Sequence, residues 1–206
     1  MFFARERTIL CRIPKEETFR TYIIHAGAPV IPSHKQMIEI TPIQPDQVAD
    51  AKYVIYAVAQ RIFAPEQTVE EFIEAPDSQH WLDDLEDYPK TYAGNHGLLL
   101  VALDNGKVIG TGGVQKLTDD LAELKRIWLL ESYHGQKIGF RMVSILLNFA
   151  RTQGCATVYL ETTRLNTRAL AFYKKLGFYE IPSPYNDAGE VLMELRLSSD
   201  GYYHNL

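Results

Sequence analysis

The stretch Tyr133–Val143, YHGQKIGFRMV, sets two glycines and two basic residues directly ahead of an abrupt change in periodicity. Upstream of it, LAELKRIWLL (Leu121–Leu130) reads as a buried strand. Downstream, apolar side chains at Ile138, Met142, Ile145 or Leu146, and Phe149 have the spacing of one helix face. The stretch is therefore the turn at which a strand becomes a helix. A helix N-terminus offers unpaired N–H groups and a partial positive charge, which together attract an anion. Glycines let the main chain approach a phosphate closely, and Lys137 and Arg141 add positive charge beside that place. The same residues also describe an ordinary tight turn with a solvated basic edge, so the rest of the chain has to decide.

Working outward, GLLLVALDNGKVIGTGGVQKL is a hairpin, with Asn105-Gly106 supplying the two positive-φ residues of a type I′ turn. Ahead of it, MIEITPI from Met37 alternates like a half-buried strand. PDQVADAKYVIYAVAQRIF places Pro45 in a first turn and repeats apolar residues at Val48, Ala51, Ile55 and Val58, the pattern of an amphipathic helix. TVEEFIEAP carries Thr68 and Glu71 at capping-box spacing and predicts a short second helix. Residues 77–96 are polar and read as a loop with one helical turn around WLDDLED. Beyond the helix that ends near Gly154, CATVYLET is a short buried strand, NTRALAFYKKLGF a helix closed by Gly177, and VLMELRL a last strand. The order β-α-α-β-β-β-α-β-α-β predicts one mixed α/β domain over residues 37–197, followed by a polar tail, 198–206. Residues 1–36 fit no periodic pattern and read as an irregular arm or one edge strand. The arm is expected to be dispensable, with Met37 a plausible start, although TYIIHAGAPVI is apolar enough to pack across a sheet edge or a homodimer partner.

Composition narrows the classes. Apolar and charged contents of 46% and 23% are those of an ordinary soluble domain, and nothing approaches a membrane-spanning run. The formal net charge of −5 argues against a nucleic-acid partner, which needs a basic face. Cys11 and Cys155 lie too far apart to suggest a disulfide framework, and six scattered histidines lack metal-ligand spacing, so no metal is expected. MFFARERTIL is not a signal peptide, and a cytoplasmic location follows as the default.

Three segments together resemble the GNAT superfamily of acetyl-CoA-dependent N-acetyltransferases. AELKRIWLLESYHGQKIGFRMV is similar to the family's signature strand, phosphate loop and helix; VYLETTRLNTRALAFYKKLGF to its next strand and helix; NGKVIGTGGV to its central antiparallel strands. The resemblance implies the acyl-CoA N-acyltransferase fold, a central, mostly antiparallel mixed sheet flanked by helices. The family's loop pattern is Arg or Gln, two residues, Gly, one residue, then Gly or Ala. His134 stands here in place of Arg or Gln and Lys137 in place of the first glycine, while Gly139 fits.

The resemblance also implies site residues. His134, Gly135, Gln136, Lys137, Ile138, Gly139 and Phe140 would hold the CoA pyrophosphate, and the main chain of Ile127, Trp128 and Leu129 would pair with the pantetheine amides. Asn166 would bond to the pantetheine arm, or serve simply as an N-cap. Tyr173 would bind CoA and protonate the departing thiolate, or be a core aromatic. Glu123, a carboxylate in an apolar strand, fits a general base acting directly or through water. It fits equally an ion pair with Lys125 or Arg126. The expected reaction moves acetyl from acetyl-CoA to an amine; a non-catalytic acyl-CoA-binding module is the alternative. A generic nucleotide-binding protein would carry an acidic ribose-binding residue at the expected spacing, and none is there. The acceptor is left open between an amino acid, a polyamine, an aminoglycoside-like compound and a protein N-terminus. Residues 61–96 are expected to choose it, with Trp81, Tyr88 and Tyr92 either walling its pocket or packing on the core.

Overall fold

The computed structural model describes residues 37–78, 80–182 and 189–198. The readings of the arm, of Cys11 and of the tail beyond residue 198 lie outside the described residues. The elements are β1 (Ile38–Pro42), α1 (Val48–Phe63), α2 (Val69–Glu74), α3 (Asp83–Glu86), α4 (Tyr88–Thr91), β2 (Leu98–Asp104), β3 (Lys107–Lys116), β4 (Leu121–Leu129), α5 (Ile138–Thr152), β5 (Thr157–Thr163), α6 (Thr167–Lys175), β6 (Tyr179–Ile181) and β7 (Glu190–Arg196). They form a mixed α/β fold around a seven-stranded sheet of order β1-β2-β3-β4-β5-β7-β6. Among the described residues only β4 and β5 run parallel; every other neighbouring pair is antiparallel.

Local chemistry accounts for most elements. Asn105 and Gly106 take φ of 49° and 82° at the β2–β3 turn, the two left-handed residues a tight hairpin needs. Thr68 and Glu71 close a reciprocal capping box on α2. On α5 the buried stripe is Ile138, Met142, Leu146 and Ala150, while Ile145 is exposed. Alternate residues of β2 point to two cores. Leu100 and Ala102 join α5 and α6 on one face of the sheet, whereas Leu99, Val101 and Leu103 join α1 and the α3–α4 segment on the other.

Two features differ from the sequence expectation, and a third settles an alternative it left open. β6 is an additional three-residue edge strand, which exists by pairing with β7. Residues 77–96 hold α3, α4 and a 3₁₀ turn at Ala93–Asn95 rather than a single helical turn in a loop. The aromatics of this segment pack into the core: Tyr92 is buried, and Trp81 and Tyr88 pack against the same cluster. Burial of Leu82, Leu85 and Tyr92 folds down a stretch whose aspartates made it look like a solvated loop.

The sheet is not closed between its two parallel strands. β4 pairs with β5 only over Leu121–Glu123 against Thr157–Tyr159, although β4 continues to Leu129 and β5 to Thr163. The strands therefore diverge beyond Glu123. On the other edge of β4, the register with β3 shifts between Thr111 and Gly113, and Arg126 sits there with φ of 57°. That is a β-bulge, which bends the strand at the point where the gap opens.

Candidate active site

A cleft of about 1420 Å³ lies along β4 beyond this point. Its walls are Ile127–Leu129 of β4, the turn that follows it, the start of α5, residues around the start and inner face of α6, and the Ala57–Ile62 stretch of α1. Leu130 donates its N–H to the Ile109 carbonyl of β3 at 2.9 Å. By strand alternation the main-chain groups of Ile127 and Leu129 face the opposite edge, where β5 has left. The cleft thus borders on a length of strand edge with no partner strand among the described residues. An extended molecule with amide groups can add to such an edge as a strand would.

At one end of that edge the turn enters α5. Gly135 has φ of 80°, and Lys137, the N-cap of α5, has φ of 60° with no side-chain cap on the helix. Lys137 thus holds the left-handed conformation that a glycine would take freely. The first-turn N–H groups of α5 receive neither a capping oxygen nor an acidic side chain. Gly139 lies in this turn, and among the described residues of other elements a Cβ added there would meet only Phe172 Cζ, at 3.8 Å. Its φ is not left-handed, so nothing among the described residues calls for glycine. A pyrophosphate lying against the helix start would.

His134 folds back on the strand, with Nε2 3.0 Å from the Leu129 carbonyl oxygen. That oxygen can only accept, so Nε2 carries the proton; Nδ1 is buried without a hydrogen-bond partner. His134, Gly135, Lys137, Ile138, Gly139 and Phe140 all line the cleft, while Gln136 is exposed and reaches the Ser132 carbonyl at 3.4 Å.

Across the cleft, α6 presents Tyr173 and Asn166. Tyr173 is 6% exposed and packed among Phe172 and Phe178, and burial pushes its phenol well above the ordinary range. It is a protonated group at the cleft wall, with no hydrogen-bond partner among the described residues. Asn166 caps α6, its Oδ1 accepting from the Ala169 N–H at 3.1 Å, which leaves its amide N–H₂ for another partner.

Glu123 is placed apart from this group. Its side chain is 15% exposed and accepts from Gln115 Nε2 at 2.7 Å and from Lys125 Nζ at 3.4 Å. It marks the apex of the divergence, as the last β4 residue paired to β5, but it is not among the residues lining the cleft. Arg126, the other ion-pair partner considered for it, belongs instead to Asp84. Two features escaped the sequence reading. Arg61 of α1 meets Glu131 across the cleft mouth at 2.6 Å, a pairing over seventy residues of chain that leaves no local signal. Thr111, fully buried, lines the cleft and donates to the Arg126 carbonyl at 2.8 Å.

The acetyltransferase (GNAT) family profile matches residues 59–178, more than half of the chain and nearly the whole cleft. The chain belongs to the GNAT acetyltransferase family. It is 33% identical over 95 residues to the uncharacterized N-acetyltransferase YjgM of Escherichia coli, covering 45% of this chain and 57% of that one. Human N-acetyltransferase 8B is 34% identical over 101 residues, 46% of this chain and 44% of that one. The chain thus spans about half the length of the curated relatives it matches. The PaiA N-acetyltransferase of Thermoplasma acidophilum, solved in complex with coenzyme A, superposes with a TM-score of 0.64 at 21% identity, over 78% of this chain and 99% of that one. The seven-stranded order with one parallel pair is therefore the GNAT fold. Among the described residues no helix is long and apolar enough to cross a membrane.

Proposed function

We propose that residues 37–197 transfer an acetyl group from acetyl-CoA to a primary amine of a small molecule or peptide, by direct attack in a ternary complex. The observation that carries this reading is the edge of β4 left by β5 and running into a helix start without a side-chain cap. It suits a molecule with an amide-bearing arm at one end and phosphates at the other. Residues 134–140 would hold the pyrophosphate, with Gly139 leaving it room, and the main chain of Ile127–Leu129 would bind the arm. Asn166 would add its free amide N–H₂. The same main chain would polarise the thioester carbonyl as charge develops on its oxygen. Tyr173, kept protonated by burial, would give its proton to the leaving thiolate. Glu123, at the apex of the divergence and outside the cleft lining, would take the ammonium proton through an intervening water. Membership of the family and the CoA-bound relative support the choice of acyl donor.

A second reading, an acyl-CoA-binding module without catalysis, draws on the pairing of Glu123 with Gln115 and Lys125. A thiol-release assay with acetyl-CoA and a panel of primary amines separates the two. Amine-dependent release supports the transferase, and CoA binding with no release for any amine supports the module. For Glu123→Gln, turnover should be slower near neutrality and recover as pH rises and the amine loses its own proton. A pH profile identical to wild type would make Glu123 structural.

A further inference from the structure

We propose that Arg126 and Asp84 are a positioning pair that holds the β4 bulge and so decides which groups face the cleft; the inference rests on the acetyl-CoA reading above. Ahead of the bulge, Ala122 and Leu124 lie in the α5-side core, and Glu123 and Lys125 point to the other face. Unbroken alternation would send Arg126 into the α5-side core and turn Ile127 and Leu129 toward α1. The reverse is found. Ile127 and Leu129 pack on the α5 side, Trp128 packs with the α1-side cluster, and Arg126 reaches the α3–α4 segment. The inversion happens at Arg126, whose φ of 57° is a conformation that side chains with a Cβ rarely adopt.

The contacts that hold it there are specific. Nε and Nη2 of Arg126 meet the two carboxylate oxygens of Asp84 at 3.1 and 2.7 Å, a bidentate pair. Nη2 also donates to the Trp81 carbonyl at 2.7 Å, and the guanidinium lies 5.5 Å from the centre of the Trp81 ring. Asp84 accepts in addition from the Tyr92 hydroxyl at 2.8 Å. Both charged side chains are 14% exposed, so neither has water as an easy substitute partner. Thr111, on the cleft wall, fixes the Arg126 carbonyl from the β3 side. The left-handed backbone at Arg126 is thereby held through its side chain from α3, and the next residue along is the first one lining the cleft.

The test compares Arg126→Gly with Arg126→Ala, each alone and combined with Asp84→Asn, which removes the carboxylate charge that loss of the guanidinium would strand. Glycine takes this φ without strain and alanine does not. CoA affinity, measured by calorimetry on the full chain, should fall for both, because both lose the hold of Asp84, by about tenfold or more for alanine and by several-fold less for glycine. Melting temperatures should follow the same order, glycine above alanine, the reverse of an ordinary strand position. Equal affinities in the two forms, or alanine melting above glycine, would overturn the positioning role. A wild-type chain that does not bind CoA would overturn the acetyl-CoA reading and the affinity half of the proposal with it, while the melting order still judges the bulge.

Discussion

Gly139 answers to no steric demand of its own fold. It sits in the first turn of α5 with a conformation open to any residue and nothing closer than 3.8 Å to an added Cβ. Glycine in a helix costs up to about 1 kcal/mol relative to alanine. Gly139→Ala should therefore leave stability unchanged or raise it, while weakening CoA binding by crowding the pyrophosphate. Gly139→Glu, with bulk and like charge, should abolish binding with a normal circular dichroism spectrum. Calorimetry showing unchanged affinity in the glutamate variant would remove the phosphate from this turn. At Tyr173 the logic is complementary, since phenylalanine keeps the packing against Phe172 and Phe178 and deletes only the hydroxyl. Turnover of Tyr173→Phe should drop by roughly 10²–10⁴, the scale of general acid catalysis, with CoA affinity nearly constant. A turnover within a few-fold of wild type would assign the proton to another donor.

The elements that carry these residues depend on short-range features. Helix α6 has nine residues, and Asn166 supplies its cap. Asn166→Ala should cost about 1 kcal/mol, whereas Asn166→Asp keeps the accepting oxygen and should melt close to wild type. If alanine and aspartate melt alike, the cap contributes nothing. Such local chemistry is why α5, α6, the capped α2 and the Asn105-Gly106 hairpin were legible in the sequence: each is specified by residues within a few positions of one another. The turn ahead of α5 and the helix that carries Tyr173 were legible for the same reason, as elements at fixed spacing. What could not be read depends on distant partners. β6 is three residues long and is a strand because β7 lies beside it. The bulge at Arg126 is held by Asp84, 42 residues earlier, so Leu121–Leu130 read as one uninterrupted strand. The aspartates of Asp83–Asp87 hid the apolar spacing of Leu82 and Leu85, whose burial is fixed by α1 and β2.

On the scale of the whole molecule, each face of the sheet holds a buried tyrosine whose phenol is pushed above its ordinary range. Tyr173 belongs to the α5-side core and Tyr92 to the α1-side core. Burial raises both, and for Tyr92 the adjacent Asp84 carboxylate adds to the effect. The sign follows from linkage. In the unfolded chain a tyrosine ionises near pH 10; above that pH the unfolded state has released protons that the folded state keeps, so stability falls as pH rises. Each phenol should remove about 1.4 kcal/mol per pH unit once the pH is well above 10, and nothing near neutrality. Tyr92→Phe isolates one of the two. At pH 7 it should melt below wild type, because Asp84 loses the 2.8 Å hydrogen bond from the Tyr92 hydroxyl, a cost of about 1 kcal/mol. Above pH 10 the variant has one fewer proton to protect, and the gap to wild type should close and then reverse. Denaturant titrations of both proteins from pH 7 to 11 read this directly. A gap that stays constant across that range would mean that Tyr92 ionises in the folded protein as readily as in the unfolded chain, and that burial on the α1 side does not hold its proton.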